Sequence, residues 1–170
     1  LGIKTLRYPA LWEHVEVVEG RDDWSWHDER YQRMRRLGIS PIAALIHHGS
    51  GPSWTSILAP DFAERLAAFG GRLAVRYPWV KTFTPINEPM ATARLSGLYG
   101  FWPPHLADER SCLRLLVAQC RAIAMTMLAI RKVIPGVGLL QTEYFGKIFA
   151  TPKLAYQAEY ENSRRWLSLD

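Results

Sequence analysis

Four short apolar runs punctuate the chain, at residues 3–8, 41–46, 80–86 and 137–142. Each is nearly continuous rather than alternating, as expected of strands buried on both faces. Between them apolar positions recur at helical spacing. Tyr31, Met34 and Leu37 step by three and stop at Gly38. Phe62, Leu66, Phe69 and Leu73 follow Asp61, a good N-cap residue. Leu116, Cys120, Ile123, Met127 and Ile130 repeat the pattern behind Ser111, and a weaker one covers 154–167. This strand–helix alternation predicts a parallel sheet with helices outside it. No linker or repeat interrupts residues 1–170, so they read as one domain.

Two parallel architectures fit that order. A doubly wound dinucleotide binder, such as a dehydrogenase, needs a glycine-rich turn opening into a helix. The first run continues into "PALWEHV", which has no glycine, and "HHGSGP" (47–52) lacks the spacing. A (β/α)8 barrel instead gathers its working residues at the C-terminal strand ends. Here those ends carry Arg7, His47, Asn87 with Glu88, and Glu143 beside Gln141. Polar groups at the same end of every strand are costly to bury without a use. The expected fold class is α/β, a partial (β/α)8 TIM barrel.

Glu88 is the sharpest candidate, held between a rigid strand and Pro89 in "TPINEP". A carboxyl in a partly desolvated cleft can stay protonated near neutrality, as a general acid must. It could equally pair with a helix N-terminus or an arginine. Asn87 offers a donor and an acceptor to a hydroxyl-rich ligand. Arg7 could orient a carboxylate or form a plain ion pair. His47 could bond a hydroxyl or be structural, and strand alternation would turn His48 to the opposite face if the strand extends that far. A metal set from His47, His48, His105 and Glu88 lacks diagnostic spacing, so neither metal nor cofactor is expected. Trp12, Trp24, Trp26, Trp54, Tyr99, Phe101 and Trp102 crowd the loops, where they could stack on sugar rings or simply cover the barrel mouth.

Composition narrows the classes further. The chain is 48% hydrophobic and 22% charged, ordinary for a globular protein. No apolar run approaches membrane-span length, so no membrane partner is expected. The net charge is +5, but "RYQRMRR" (30–36) reads as a solvated helix face, and no nucleic-acid partner is expected. Cys112 and Cys120 lie eight apart on one predicted helix, ~12 Å, too far to bridge. They read as buried thiols of a reducing, cytoplasmic compartment. The first residue is Leu1, and the chain is expected to be an internal piece of a longer protein.

The motifs together resemble glycoside hydrolase family 1, the β-glucosidase family. "TPINEP" followed by "SGLYGFWPPH" resembles that family's fourth strand and loop. "LRYPALWEHV" looks like its second strand, "GISPIAALIHHGSGP" its third, and "VGLLQTEYFG" falls at its fifth. The resemblance implies a retaining β-glycosidase acting on a small-molecule glycoside or oligosaccharide, with Glu88 as acid/base and Asn87 on the sugar 2-hydroxyl. Arg7 would orient the nucleophile and His47 would contact the sugar. Glu143 has no clear counterpart. The family pattern is altered at Pro85-Ile86, His48-Gly49 and Pro9-Ala10, which bears on glucoside specificity. The implied nucleophile belongs to a seventh strand outside these residues, so residues 1–170 alone are expected not to hydrolyse glycosides. The alternative is a non-hydrolytic sugar-binding or regulatory domain of the same fold, fused to a sugar-nucleotide enzyme.

Overall fold

Side by side and all parallel, the strands run β1 (Thr5–Pro9), β2 (Ser40–Ile46), β3 (Thr82–Ile86) and β4 (Gly138–Leu139) in the computed structural model, which describes residues 2–169. Chain order equals spatial order, as in a segment of a (β/α) barrel, and the sheet is not closed. The register pairs Arg7 with Ile42, Ile42 with Thr82, and Thr82 with Gly138, so the C-terminal ends form one rim. The fourth strand is shorter than its apolar run. Yet the chain still follows β3 past it: the Leu140 N–H donates to the Phe83 carbonyl and the Thr84 hydroxyl to the Leu140 carbonyl.

Pro85 lies inside β3, where its missing N–H would break a ladder bond. The β2–β3 register skips its pairing with Leu45. Ala44 there accepts from Ala10 on the β1 side, whereas Ile46 accepts from Asn87 on the β3 side. The interruption therefore falls just before the rim, where it redirects the strand ends.

Helices α1 (Trp12–Val15), α2 (Ser25–Arg36), α3 (Phe62–Arg76), α4 (Pro89–Ala93), α5 (Glu109–Val133) and α6 (Ala155–Arg164) connect and cover the sheet. Phe62, Leu66, Phe69 and Leu73 of α3 join Leu115, Leu116, Ile123, Met127 and Ile130 of α5 in one buried core. The two predicted caps differ from expectation. Asp61 makes no capping bond, because its carboxylate is taken by the Arg65 guanidinium at 2.6 Å. Helix α5 begins earlier than Ser111: Asp108 caps it by accepting the Ser111 N–H at 2.8 Å. At 25 residues α5 is long and apolar enough, by length and composition, to cross a membrane, although its buried face packs on α3. Both cysteines on it are free thiols, which burial pushes above their ordinary range.

Candidate active site

The end of β3 delivers Asn87 and Glu88 to the rim. Glu88 adopts the left-handed conformation, φ 44° and ψ 65°, which costs an L-residue with a Cβ of order 1–3 kcal/mol. Its surroundings hold it there. The Asn87 N–H donates to the Ile46 carbonyl at 3.0 Å and the Glu88 N–H to the Thr142 carbonyl at 3.2 Å. Pro89 then starts α4, where its missing N–H is no loss. Glu143 is structural: its Oε2 accepts the Met90 N–H at 3.0 Å, in the first turn of α4.

Asn87 is 1% exposed and sits at the centre of a hydrogen-bonded cluster. Its Oδ1 accepts from the Arg7 guanidinium at 2.6 Å and the Thr142 hydroxyl at 3.0 Å, which fixes the amide's orientation. Its Nδ2 faces His48 Nε2 at 3.3 Å, while His48 Nδ1 meets the Thr92 hydroxyl at 3.0 Å. Burial, followed by the charge of His47, lowers the His48 pKa and keeps the ring neutral near pH 7, against the opposing pull of Glu88. With Nδ1 protonated toward Thr92, Nε2 accepts from Asn87. One amide N–H of Asn87 then remains for a ligand hydroxyl.

The Glu88 carboxylate stands 4.0 Å from that His48 Nε2, its side chain 33% exposed. A neutral imidazole makes this a polar contact rather than an ion pair, so Glu88 is not closed off by a structural partner. It lines a hollow of about 290 Å³ with Ala91, Arg94, Leu95, Tyr99, Trp102 and Tyr144. Arg94 begins a π-helical turn, Arg94–Leu98, and such turns recur at functional sites.

Arg7, Asn87 and Glu88 therefore meet on one rim. His47 lies beside them with its ring exposed, 4.5 Å from the His48 ring by centroids. His48 would have pointed away had the strand continued, but it ends at Ile46, so alternation no longer governs 47 and 48, and His48 turns to Asn87. Thr142 and His48 are the residues that sequence reasoning missed as members of the cluster. Glu13, whose carboxyl burial raises, is a further rim carboxyl within the field of His47. His105 lies in its own turn, its Nδ1 against the Gly100 carbonyl. Among the described residues no three His, Cys, Asp or Glu side chains gather as a metal cage would require. The loop aromatics divide. Trp12, Trp24 and Trp54 pack in or against the core around Phe62 and Phe69, whereas Tyr99 and Trp102 face the hollow.

Neither a protein-family model nor a curated protein sequence matches the chain. Solved structures do. It superposes on a β-glycosidase from Pyrococcus horikoshii with a TM-score of 0.83 at 19% identity, over 96% of this chain and 40% of that one. A β-glucosidase from Thermotoga maritima in complex with deoxynojirimycin gives 0.79 at 16%, over 96% and 40%. A family 1 β-glucosidase from Thermotoga maritima gives 0.77 at 17%, over 96% and 39%. At such identities the likeness is one of fold: these residues have the fold of part of a β-glucosidase barrel. The chain spans about 40% of the length of the first structures it matches.

Proposed function

We propose that this chain carries the acid/base part of a retaining β-glycosidase site, with Glu88 in that role. The observation that carries the reading is the open Glu88 carboxyl at the strand-end rim, beside an amide that Arg7, Thr142 and His48 hold in place. The fold of known β-glucosidases, one solved with deoxynojirimycin bound, supports a small-molecule glycoside as substrate. Protonated Glu88 gives its proton to the glycosidic oxygen while a second carboxylate attacks the anomeric carbon. The C–O bond breaks and the leaving group departs as its alcohol. Glu88, now ionised, takes a proton from water as that oxygen attacks the same carbon and frees the second carboxylate. Retention requires the two carboxyls ~5 Å apart. The second is expected from strands that complete the barrel.

Asn87 spends its free N–H on a sugar hydroxyl, and Arg7 holds the Asn87 amide through Oδ1. His47 is kept as a sugar contact, reaching the ligand from the rim beside His48.

The test uses the full-length protein. Glu88→Gln is expected to lower turnover of glycosides with poor leaving groups by ~10²–10⁴-fold. Dinitrophenyl glycosides, whose leaving group needs little protonation, are expected to lose far less in the first step. Unchanged turnover of poor substrates by Glu88→Gln would remove Glu88 from the role. Sugar binding by the wild type without any turnover would replace the enzyme reading with a binding domain.

A further inference from the structure

The loop after β2 bounds a second cavity, of about 470 Å³, between residues 48–56 and the chain around Ser96 and Trp102. His48 and Trp102 form the partition toward the acid/base site. Their rings meet at 4.9 Å between centroids, and Glu88 lines only the hollow beyond them. Two close backbone approaches shape the cavity. Gly51 has φ 76°, and a Cβ there would come within 2.8 Å of the Trp12 ring, so the loop lies flat on the core. Across from it, a Cβ on Gly97 would meet the Cys112 Cα at 2.8 Å, so the turn carrying Ser96 is pressed onto α5.

The hydroxyls around the cavity are of two kinds. Ser50 Oγ accepts the Ile57 N–H at 3.2 Å and Ser56 Oγ the Leu58 N–H at 3.2 Å, so these two hold the loop in place. The Ser96 and Thr55 hydroxyls are buried and have no partner among the described residues. Ser96 is 1% exposed and lies in the π-helical turn Arg94–Leu98. Its carbonyl is taken by the Leu106 N–H at 3.0 Å, which leaves the hydroxyl unspent. A buried hydroxyl without a partner costs stability. Two of them lining one cavity mark where a guest supplies the missing bonds.

The lining selects the class of guest. Among the described residues that line it there is no Lys, Arg, Asp or Glu, so an ion would lose its hydration and meet no counter-charge. An apolar guest would leave Ser96 and Thr55 unpaired. Trp102, Pro52, Pro103 and Pro104 offer flat ring faces to the C–H faces of a saturated ring. We propose that this cavity binds a neutral, polyhydroxylated ring, with Ser96 and Thr55 bonding its hydroxyls and Trp102 covering one face. The site is separate from the Glu88 hollow and does not depend on the acid/base reading of Glu88.

The probe is myo-inositol, a neutral ring with a hydroxyl on every carbon and no glycosidic bond. It is titrated by calorimetry into the full-length protein, as wild type, Ser96→Ala, Thr55→Val and Glu88→Gln. Wild type is expected to bind it, Ser96→Ala and Thr55→Val each about fivefold more weakly, and Glu88→Gln as tightly as wild type. Cyclohexanol, of similar ring size, is expected to bind wild type about tenfold more weakly than myo-inositol. Denaturant midpoints without the probe give a second readout. Ser96→Ala should be at least as stable as wild type, because the hydroxyl it loses has no partner in the fold, whereas a structural hydroxyl would lower the midpoint when removed. The inference is overturned if folded wild type does not bind myo-inositol, or if it binds cyclohexanol equally well. It is overturned too if Ser96→Ala and Thr55→Val bind as wild type does, if Ser96→Ala alone lowers the midpoint, or if Glu88→Gln abolishes binding, which would put the ring in the Glu88 hollow. None of these measurements reads turnover, so the role of Glu88 stands or falls separately.

Discussion

Two glutamates near the ends of β1 and β3 show opposite designs. Glu16 is 5% exposed and fully engaged. The Trp12 indole donates to it at 2.7 Å, the Gly20 N–H at 2.8 Å and the Arg72 guanidinium at 2.6 Å. Burial would raise its pKa, yet these donors bring it below the ordinary value. Arg72 is itself held by Asp22 at 2.7 Å, and stacked Trp12, Trp24 and Phe69 wall the region. Glu88 also stands among aromatics and near an arginine, but among the described residues no N–H or guanidinium closes on its carboxylate. Residue type and neighbourhood are alike in the two places. What separates them is whether the carboxylate's acceptor sites are filled. A filled carboxylate holds the fold together, and an unfilled one on a strained backbone is available for chemistry.

The most direct way to break this contrast is to make the same change at both sites. Glu16→Gln weakens the bonds from Trp12, Gly20 and Arg72, and about 1–2 kcal/mol of stability should be lost, because Arg72 keeps both bonds to Asp22 and its contact with water. Catalysis per folded molecule should not change. Glu88→Gln should do the reverse, with stability within ~0.5 kcal/mol of wild type and turnover collapsed. Denaturant midpoints and kcat measured on both variants decide it. A stability loss at Glu88 as large as that at Glu16 would make Glu88 one more structural carboxylate.

The closed region contains a second test. His27 on α2 is 1% exposed, wedged edge-on against Trp24 and Trp26, and neither ring nitrogen has a partner among the described residues. Burial, then the charges of His14 and Arg30, push its pKa from 6.5 down to about 4, against weaker pulls from Asp28 and Asp23. In the folded chain the ring is therefore neutral where the unfolded chain already takes a proton. Stability is full above pH 6.5, falls as pH drops through the window, and levels below about 4. The loss should approach ~3 kcal/mol, and His27→Phe should flatten that part of the profile. A profile identical in wild type and His27→Phe would show that the aromatic layer tolerates a charge it has no means of solvating.

Much of the fold was legible in the sequence because burial writes a strong signal. All four strands and the three longest helices fall where apolar spacing puts them, since strands covered on both faces and helices packed on a sheet must repeat at fixed periods. Caps were less legible. Asp61 has the right residue type, but Arg65 one turn on competes for its carboxylate, and local type alone does not report that contest. The candidate site was legible as strand ends, hence Asn87 and Glu88, whereas Arg7 stands in the middle of β1 and reaches Asn87 through its long side chain. His48 and Thr142 were not, because β2 stops at Ile46 and β4 at Leu139, and beyond a strand's end no period says where a side chain points. Nor could the sequence sort the tryptophans. Trp12 and Trp102 both follow strands, and only the third dimension sends one into the core and the other to the hollow.

The smallest effect probes the backbone that sets Glu88 apart. Glu16 needs no unusual conformation to keep its partners, whereas Glu88 sits at φ 44°, where a Cβ crowds its own carbonyl. Both Glu88→Ala and Glu88→Gly remove the carboxylate, so both should lose the acid/base function equally. They differ in the backbone alone. Alanine keeps the Cβ and the strain, while glycine enters the left-handed region freely. Opposing this, glycine has more freedom to lose on folding, which trims the gain. Glu88→Gly is therefore expected to be more stable than Glu88→Ala by about 1 kcal/mol, read as a shift in denaturant midpoint at constant slope. Equal midpoints would mean that the turn after β3 relaxes once the carboxylate is gone. The strain would then belong to the side chain's contacts and not to the strand end, and the contrast with Glu16 would rest on hydrogen bonding alone.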